Sequence, residues 1–122
     1  MTPEAQRIAI AKACGWEMAG GTMKGQSVGI RPDEIGSATA FDYQLIPDYT
    51  NDLNAMHEAV QSKLNNSIDS MIYAEHLVQI VLGYENQKRN FVLNNWELTR
   101  LSLATAAQQA EAFLKTLNLW TP

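Results

Sequence analysis

Apolar positions change their rhythm several times along this chain. Near the start, Ala5, Ile8, Ala9 and Ala13 recur at helical spacing. The ends of that run carry matching signals. Thr2 can cap, Pro3 fits the first helical position, Glu4 complements the positive end of the dipole, and Gly15 offers the left-handed stop. Between Gly15 and Pro47 the helical rhythm ceases. Six of the seven glycines lie there, too many for a long helix. Period-two runs replace it: Trp16-x-Met18, Val28-x-Ile30 and Phe41-x-Tyr43-x-Leu45. Such alternation marks half-buried strands. Gly20-Gly21 and Arg31-Pro32-Asp33 read as the turns between them. A small, mainly antiparallel sheet is the expectation.

Helical spacing returns after Pro47. A second helix is expected from about Thr50 to Leu64, capped by Asp48 or Thr50. Asn65-Asn66-Ser67 breaks it and caps a third helix, about 68–82, which Gly83 closes. Residues 84–103 are ambiguous: Phe91-Val92-Leu93 fits a strand, and WELTRLSL fits strand or helix. The last helix is well marked. Thr105-x-x-Gln108 is a capping box, and the helix continues to Leu117 with Ala106, Ala107, Ala110, Phe113, Leu114 and Leu117 on one arc. Glu111 and Lys115 form an i, i+4 pair on the other side. Asn118 tolerates a left-handed stop, and Leu119-Trp120 are expected to fold back as an apolar latch.

The segment YTNDLNAMHEAV, residues 49–60, holds the most suggestive chemistry. On a helix, Met56, His57, Val60 and Leu64 fall within roughly 60° of Leu53, which places His57 at the border of a buried stripe. Glu58 lies about 100° from His57, on the polar face, and Asp52 lies on the other flank. The three cannot converge while the segment is helical. A core-edge histidine held by Asn54 or Gln61 is therefore the preferred reading. The alternative is a ligand site or active site built on the polar cluster Tyr49, Asp52, Asn54 and His57. In the third helix, Met71, Ala74, Leu77, Val78, Val81 and Leu82 share an arc, but Ile72, Tyr73 and Ile80 lie off it. A helix apolar on more than one side is central or covered by a partner.

Composition narrows the classes. The chain has 122 residues, 46% of them hydrophobic and 18% charged, enough for one domain of 1–122 with a real core. A single cysteine, Cys14, excludes an internal disulfide framework and a cysteine-rich zinc site. The start has no signal-peptide pattern. The richest apolar stretch, Met71 to Tyr84, is too short and polar for the about 20 residues a bilayer span needs. A net charge of −4 with scattered basic residues argues against nucleic acid, the weak exception being Lys88, Arg89 and Arg100. HExxH, phosphate-loop and Ser-elbow spacings are absent, so no cofactor, metal or catalytic residue is assigned. Whether the chain is an enzyme stays open, with the balance toward no. A reducing, cytoplasmic setting is the simplest reading.

ACGW at 13–16, PDYTNDLNAMHEA at 47–59 and ATAAQQAEAFLKTLNLW at 104–120 together resemble the phage ABA sandwich domain family, a group of phage and prophage proteins. Gln109 stands where the family usually has Arg, Val60 where it often has Glu, and Asn118 where it often has Gly. The resemblance implies an α+β protein, an α/β/α sandwich with about four helices around the small sheet. It also implies a phage or prophage origin in a bacterial host, and no particular activity. The leading expectation is a non-enzymatic accessory protein acting through protein contacts or self-association. Small-ligand binding or catalysis around His57 is the runner-up.

Overall fold

A computed structural model of the chain describes residues 1–23, 26–32, 43–83 and 93–122. The element order is α1 (Pro3–Ala13), β1 (Glu17–Met23), β2 (Gln26–Ile30), β3 (Gln44–Leu45), α2 (Leu53–Lys63), α3 (Ser67–Leu82), α4 (Asn95–Ser102) and α5 (Ala106–Thr116). The class is α+β, with one three-stranded antiparallel sheet in the order β1-β2-β3. Among the described residues, five helices stand where about four were expected, because the ambiguous segment WELTRLSL is helical. Its signal is local: Asn94 and Glu97 form a reciprocal capping box, and eight residues are too few for apolar spacing to announce a helix. The expected strand at Phe91-Val92-Leu93 and the Lys88-Arg89 pair fall on residues outside the described ones, apart from Leu93.

Helix α1 begins as its sequence dictates, with the Thr2 side chain accepting from the Ala5 N–H at 3.1 Å. Its other end is a Schellman turn. Gly15 sits at φ +92, while Trp16 N–H donates to Ala11 O and Gly15 N–H to Lys12 O. That turn throws Trp16 back toward the sheet. α5 ends the same way: Asn118 at φ 59 replaces glycine, and Leu119 N–H reaches Leu114 O at 2.8 Å. The chain then folds over α1, where the Met1 ammonium donates to Thr121 O at 3.0 Å and Trp120 packs against the core. The expected latch forms in part: Trp120 packs inward, while Leu119 stays 41% exposed beside α1.

Gly20-Gly21 does not make the turn expected of it. Both glycines lie inside β1, where the register slips: Met18 pairs with Gly29, but Thr22 pairs with Ser27. The extra residues form a bulge, and Gly20 takes φ +74 there. Glycine pairs mark places where the chain needs positive φ; long-range pairing decides whether that place is a turn or a bulge. Gly29 answers a different demand. A Cβ there would lie 2.8 Å from Glu17 O, so a side chain would push β1 off β2. Of the alternation at 41–45, only Gln44–Leu45 is strand among the described residues.

The core joins α1, α2, α5 and the segment 46–49 through Ile10, Ile46, Tyr49, Met56, Phe113 and Leu114. α5 occupies its centre and touches α1, α2 and α3. Ala110 and Ala112 bring its backbone close to those neighbours, and Phe113 fills the space beyond. Ala107, expected on the buried arc, is exposed. Gln109 is buried instead, its amide satisfied by Ala104 O at 3.2 Å. The Glu111–Lys115 pair forms at 2.8 Å.

Candidate functional site

Helix α2 is rolled relative to expectation. Met56 and Ala59 are buried, whereas Leu53 and His57 are exposed. The inward face has moved by roughly a quarter turn. Helical spacing fixes which side chains travel together but not which way the helix faces. Here the small residues Ala55 and Ala59 turn inward, and Leu53 is stranded in the first turn. The core-edge reading of His57 is therefore overturned: its imidazole stands in solvent. The cap is corrected too. Asp52, rather than Asp48 or Thr50, is the N-cap, accepting from the N–H groups of Asn54 and Ala55 at 3.0 and 3.2 Å.

What the roll exposes on the other side is a concavity of about 600 Å³ between the end of α1, the sheet and α2. Its floor holds Cys14 and Tyr49, its apolar walls are Trp16, Leu45 and Pro47, and α2 contributes Glu58, Ser62 and Lys63. Arg31 and Pro32 close the edge at the end of β2. Of the four residues in the sequence-derived polar cluster, only Tyr49 lines it. Asp52 is engaged as a cap, and Asn54 and His57 are exposed away from it.

The floor is neutral at physiological pH. Burial pushes the Cys14 thiol up, outweighing the Lys63 charge and the Tyr49 and Ser62 hydroxyls, which pull it down. Burial also pushes the Tyr49 phenol up, reinforced by Cys14 and opposed by the Trp16 indole. A thiol held protonated is not an activated nucleophile, so this cluster suits binding better than covalent catalysis. Charge is carried by the rim. Glu58 and Lys63 are both exposed, and among the described residues neither has an ion-pair partner.

One clamp holds the wall of the concavity in place. Arg7, buried although charged, donates to Ile46 O at 2.8 Å and Pro47 O at 3.2 Å, and pairs with Glu4 at 2.6 Å. Glu4 also accepts from Ser27 N–H at 3.1 Å. Ser27, then the Arg7 charge, hold its carboxyl below the ordinary value against partial desolvation. This network ties α1 to β2 and to the 46–48 segment that leads into Tyr49. Reasoning from sequence missed it, although the i, i+3 spacing of Glu4 and Arg7 was visible.

Two other surfaces have functional character. An apolar groove of about 560 Å³ runs between α1 and Leu119, with Lys12 at its edge. On α3 and α4, large apolar side chains stand in solvent: Ile68 is 64% exposed, Trp96 60% and Leu103 74%, with Met71 and Leu98 also exposed. Trp96 is held under Arg100, whose guanidinium carbon lies 5.1 Å from the ring centroid. Arg100, considered at first for nucleic acid, also donates to Val81 O at 3.2 Å. Among the described residues, no three His, Cys, Asp or Glu side chains gather as a metal site. Among the same residues, no helix is long and apolar enough to cross a membrane. Compared with family models, curated proteins and solved structures, the chain gives no match.

Proposed function

We propose that the chain is a non-enzymatic accessory protein of a phage or prophage, working in the bacterial cytoplasm through protein contacts made by α3 and α4. The observation that carries this reading is the set of exposed apolar side chains at Ile68, Met71, Trp96, Leu98 and Leu103. Isolated exposed apolar residues are ordinary, but five large ones on two neighbouring helices and the C-cap of the second favour a covered surface. The arginine-stacked Trp96 adds an aromatic anchor of the kind enriched in interface centres. The phage assignment rests on the three sequence segments at 13–16, 47–59 and 104–120.

The test is sedimentation velocity at micromolar concentration, joined to affinity capture of the tagged chain from infected cells. Both are repeated with Ile68→Gln/Met71→Gln/Leu103→Gln. Association with itself or with a defined partner, lost in the triple variant, is expected. A monomer that recovers no partner, or a complex indifferent to the three substitutions, contradicts the reading. A second reading, small-ligand binding, is favoured by the concavity beside Cys14 and Tyr49 and no longer by His57.

A further inference from the structure

The concavity has a polarity that suggests a ligand class. Glu58 and Lys63 stand on its α2 side, five residues apart, or about 7.5 Å of helical rise. Between them the floor is made of the Cys14 thiol and the Tyr49 phenol, both of which keep their protons at neutral pH. Lys63 lies near enough to Cys14 to act on its charge, and Glu58 does the same to Tyr49. A negative and a positive group thus flank a neutral floor in which Tyr49 is buried and Cys14 partly so. The opposite side is largely apolar, formed by Trp16, Leu45 and Pro47, with Arg31 and Gln44 at its edge, each already engaged in an interaction of its own.

Each feature excludes something. A purely apolar ligand would leave two charges beside it without partners, at a desolvation cost. A simple anion would gain Lys63, with Arg31 at the edge, but face the Glu58 carboxylate, and a simple cation would meet the reverse. A molecule carrying one ammonium and one carboxylate a few bonds apart satisfies both. Charge-assisted hydrogen bonds at its two ends would orient such a molecule along the α2 side of the concavity. The volume of about 600 Å³ also leaves room for a side chain against the indole.

We propose that this concavity binds a small zwitterion of the α-amino-acid type with an apolar or aromatic side chain, its ammonium at Glu58, its carboxylate at Lys63 and its side chain against Trp16. This rests on the second reading above and names its ligand class.

L-Phenylalanine is the probe, followed by the Trp16 indole N–H resonance in a titration of the full chain. 3-Phenylpropanoate, which lacks the ammonium, and 2-phenylethylamine, which lacks the carboxylate, are the comparators. Saturable binding of L-phenylalanine is expected, weakened about tenfold or more in Glu58→Gln and separately in Lys63→Met. Both positions are exposed, so the variants should fold, which circular dichroism checks. Each comparator should bind about tenfold or more weakly than the amino acid. If a comparator binds as well as L-phenylalanine, the concavity is a ligand site but the zwitterion assignment is wrong. If none of the three perturbs the Trp16 resonance at millimolar concentration, both the assignment and the ligand-site reading fail.

Discussion

Helices α3 and α5 lie against each other and use apolar residues in opposite ways. α3, SIDSMIYAEHLVQIVL, is the richer of the two in large apolar side chains, yet only Val78 and Val81 are fully buried among its sixteen residues. α5, AAQQAEAFLKT, carries just two large apolar side chains, yet six of its eleven residues are buried. The difference is phase and size. Alanines on α5 let it approach three neighbouring helices at once, so Phe113 and Leu114 are sealed from every side. The apolar residues of α3 surround the helix, and its neighbours α5 and α4 do not cover them all. Apolar content therefore shows how much surface a helix could bury, and its arrangement shows how much it does.

The largest test of this contrast is Phe113→Ala. It should lose about 3–5 kcal/mol in urea unfolding, because no side chain can collapse into the space. A loss below about 1 kcal/mol would mean α5 is not the centre of the core. Next comes Arg7→Met, which keeps the volume but strands the carbonyls of Ile46 and Pro47. About 2–3 kcal/mol is expected, against less than about 1 kcal/mol for Arg100→Met on the exposed side. Equal losses would erase the distinction between a buried clamp and a surface contact.

Smaller effects separate cap from imidazole on α2. Asp52→Ala should cost about 1 kcal/mol through loss of the N-cap, whereas His57→Ala should stay within about 0.5 kcal/mol because the ring is exposed. The smallest expected effects are in pH dependence. Glu4 has its carboxyl lowered in the fold, chiefly by Ser27, so its contribution is complete above 4.5 and lost as pH falls through the folded value. His76 is lowered from 6.5, first by desolvation and then by Lys115. The unfolded chain therefore takes up that proton first, and stability falls as pH drops below 6.5. Glu4→Gln should flatten the acid limb and His76→Gln the limb below 6.5, each measured as unfolding midpoint against pH. An unchanged profile in either variant would remove that group from the account.

Local signals were read well from the sequence. Thr2, Pro3 and Gly15 bracket α1, Asn66 and Gly83 bracket α3, and the Thr105-x-x-Gln108 box opens α5. Each acts within one turn of its own residue, so no tertiary knowledge was needed. The roll of α2 was not legible, because a helical wheel has no absolute zero and Ala59 outcompeted Leu53 for the interior. Neither was the bulge at Gly20, which depends on the pairing of β1 with Ser27 and Gly29. The concavity assembles the end of α1, residues 44–49 and α2, and no spacing within one element announces such a meeting. Cys14 and Tyr49 were noticed separately; their adjacency emerges only from the fold.

The division between sealed α5 and uncovered α3–α4 is tested most directly by the unfolding free energy of Ile68→Gln/Met71→Gln/Leu103→Gln in urea. Glutamine keeps helix propensity, so burial alone decides the outcome. The triple variant should remain within about 1 kcal/mol of the parent chain, as surface substitutions do. A loss of about 3 kcal/mol or more would place those side chains in the interior and leave the protein without the contact surface assigned to it.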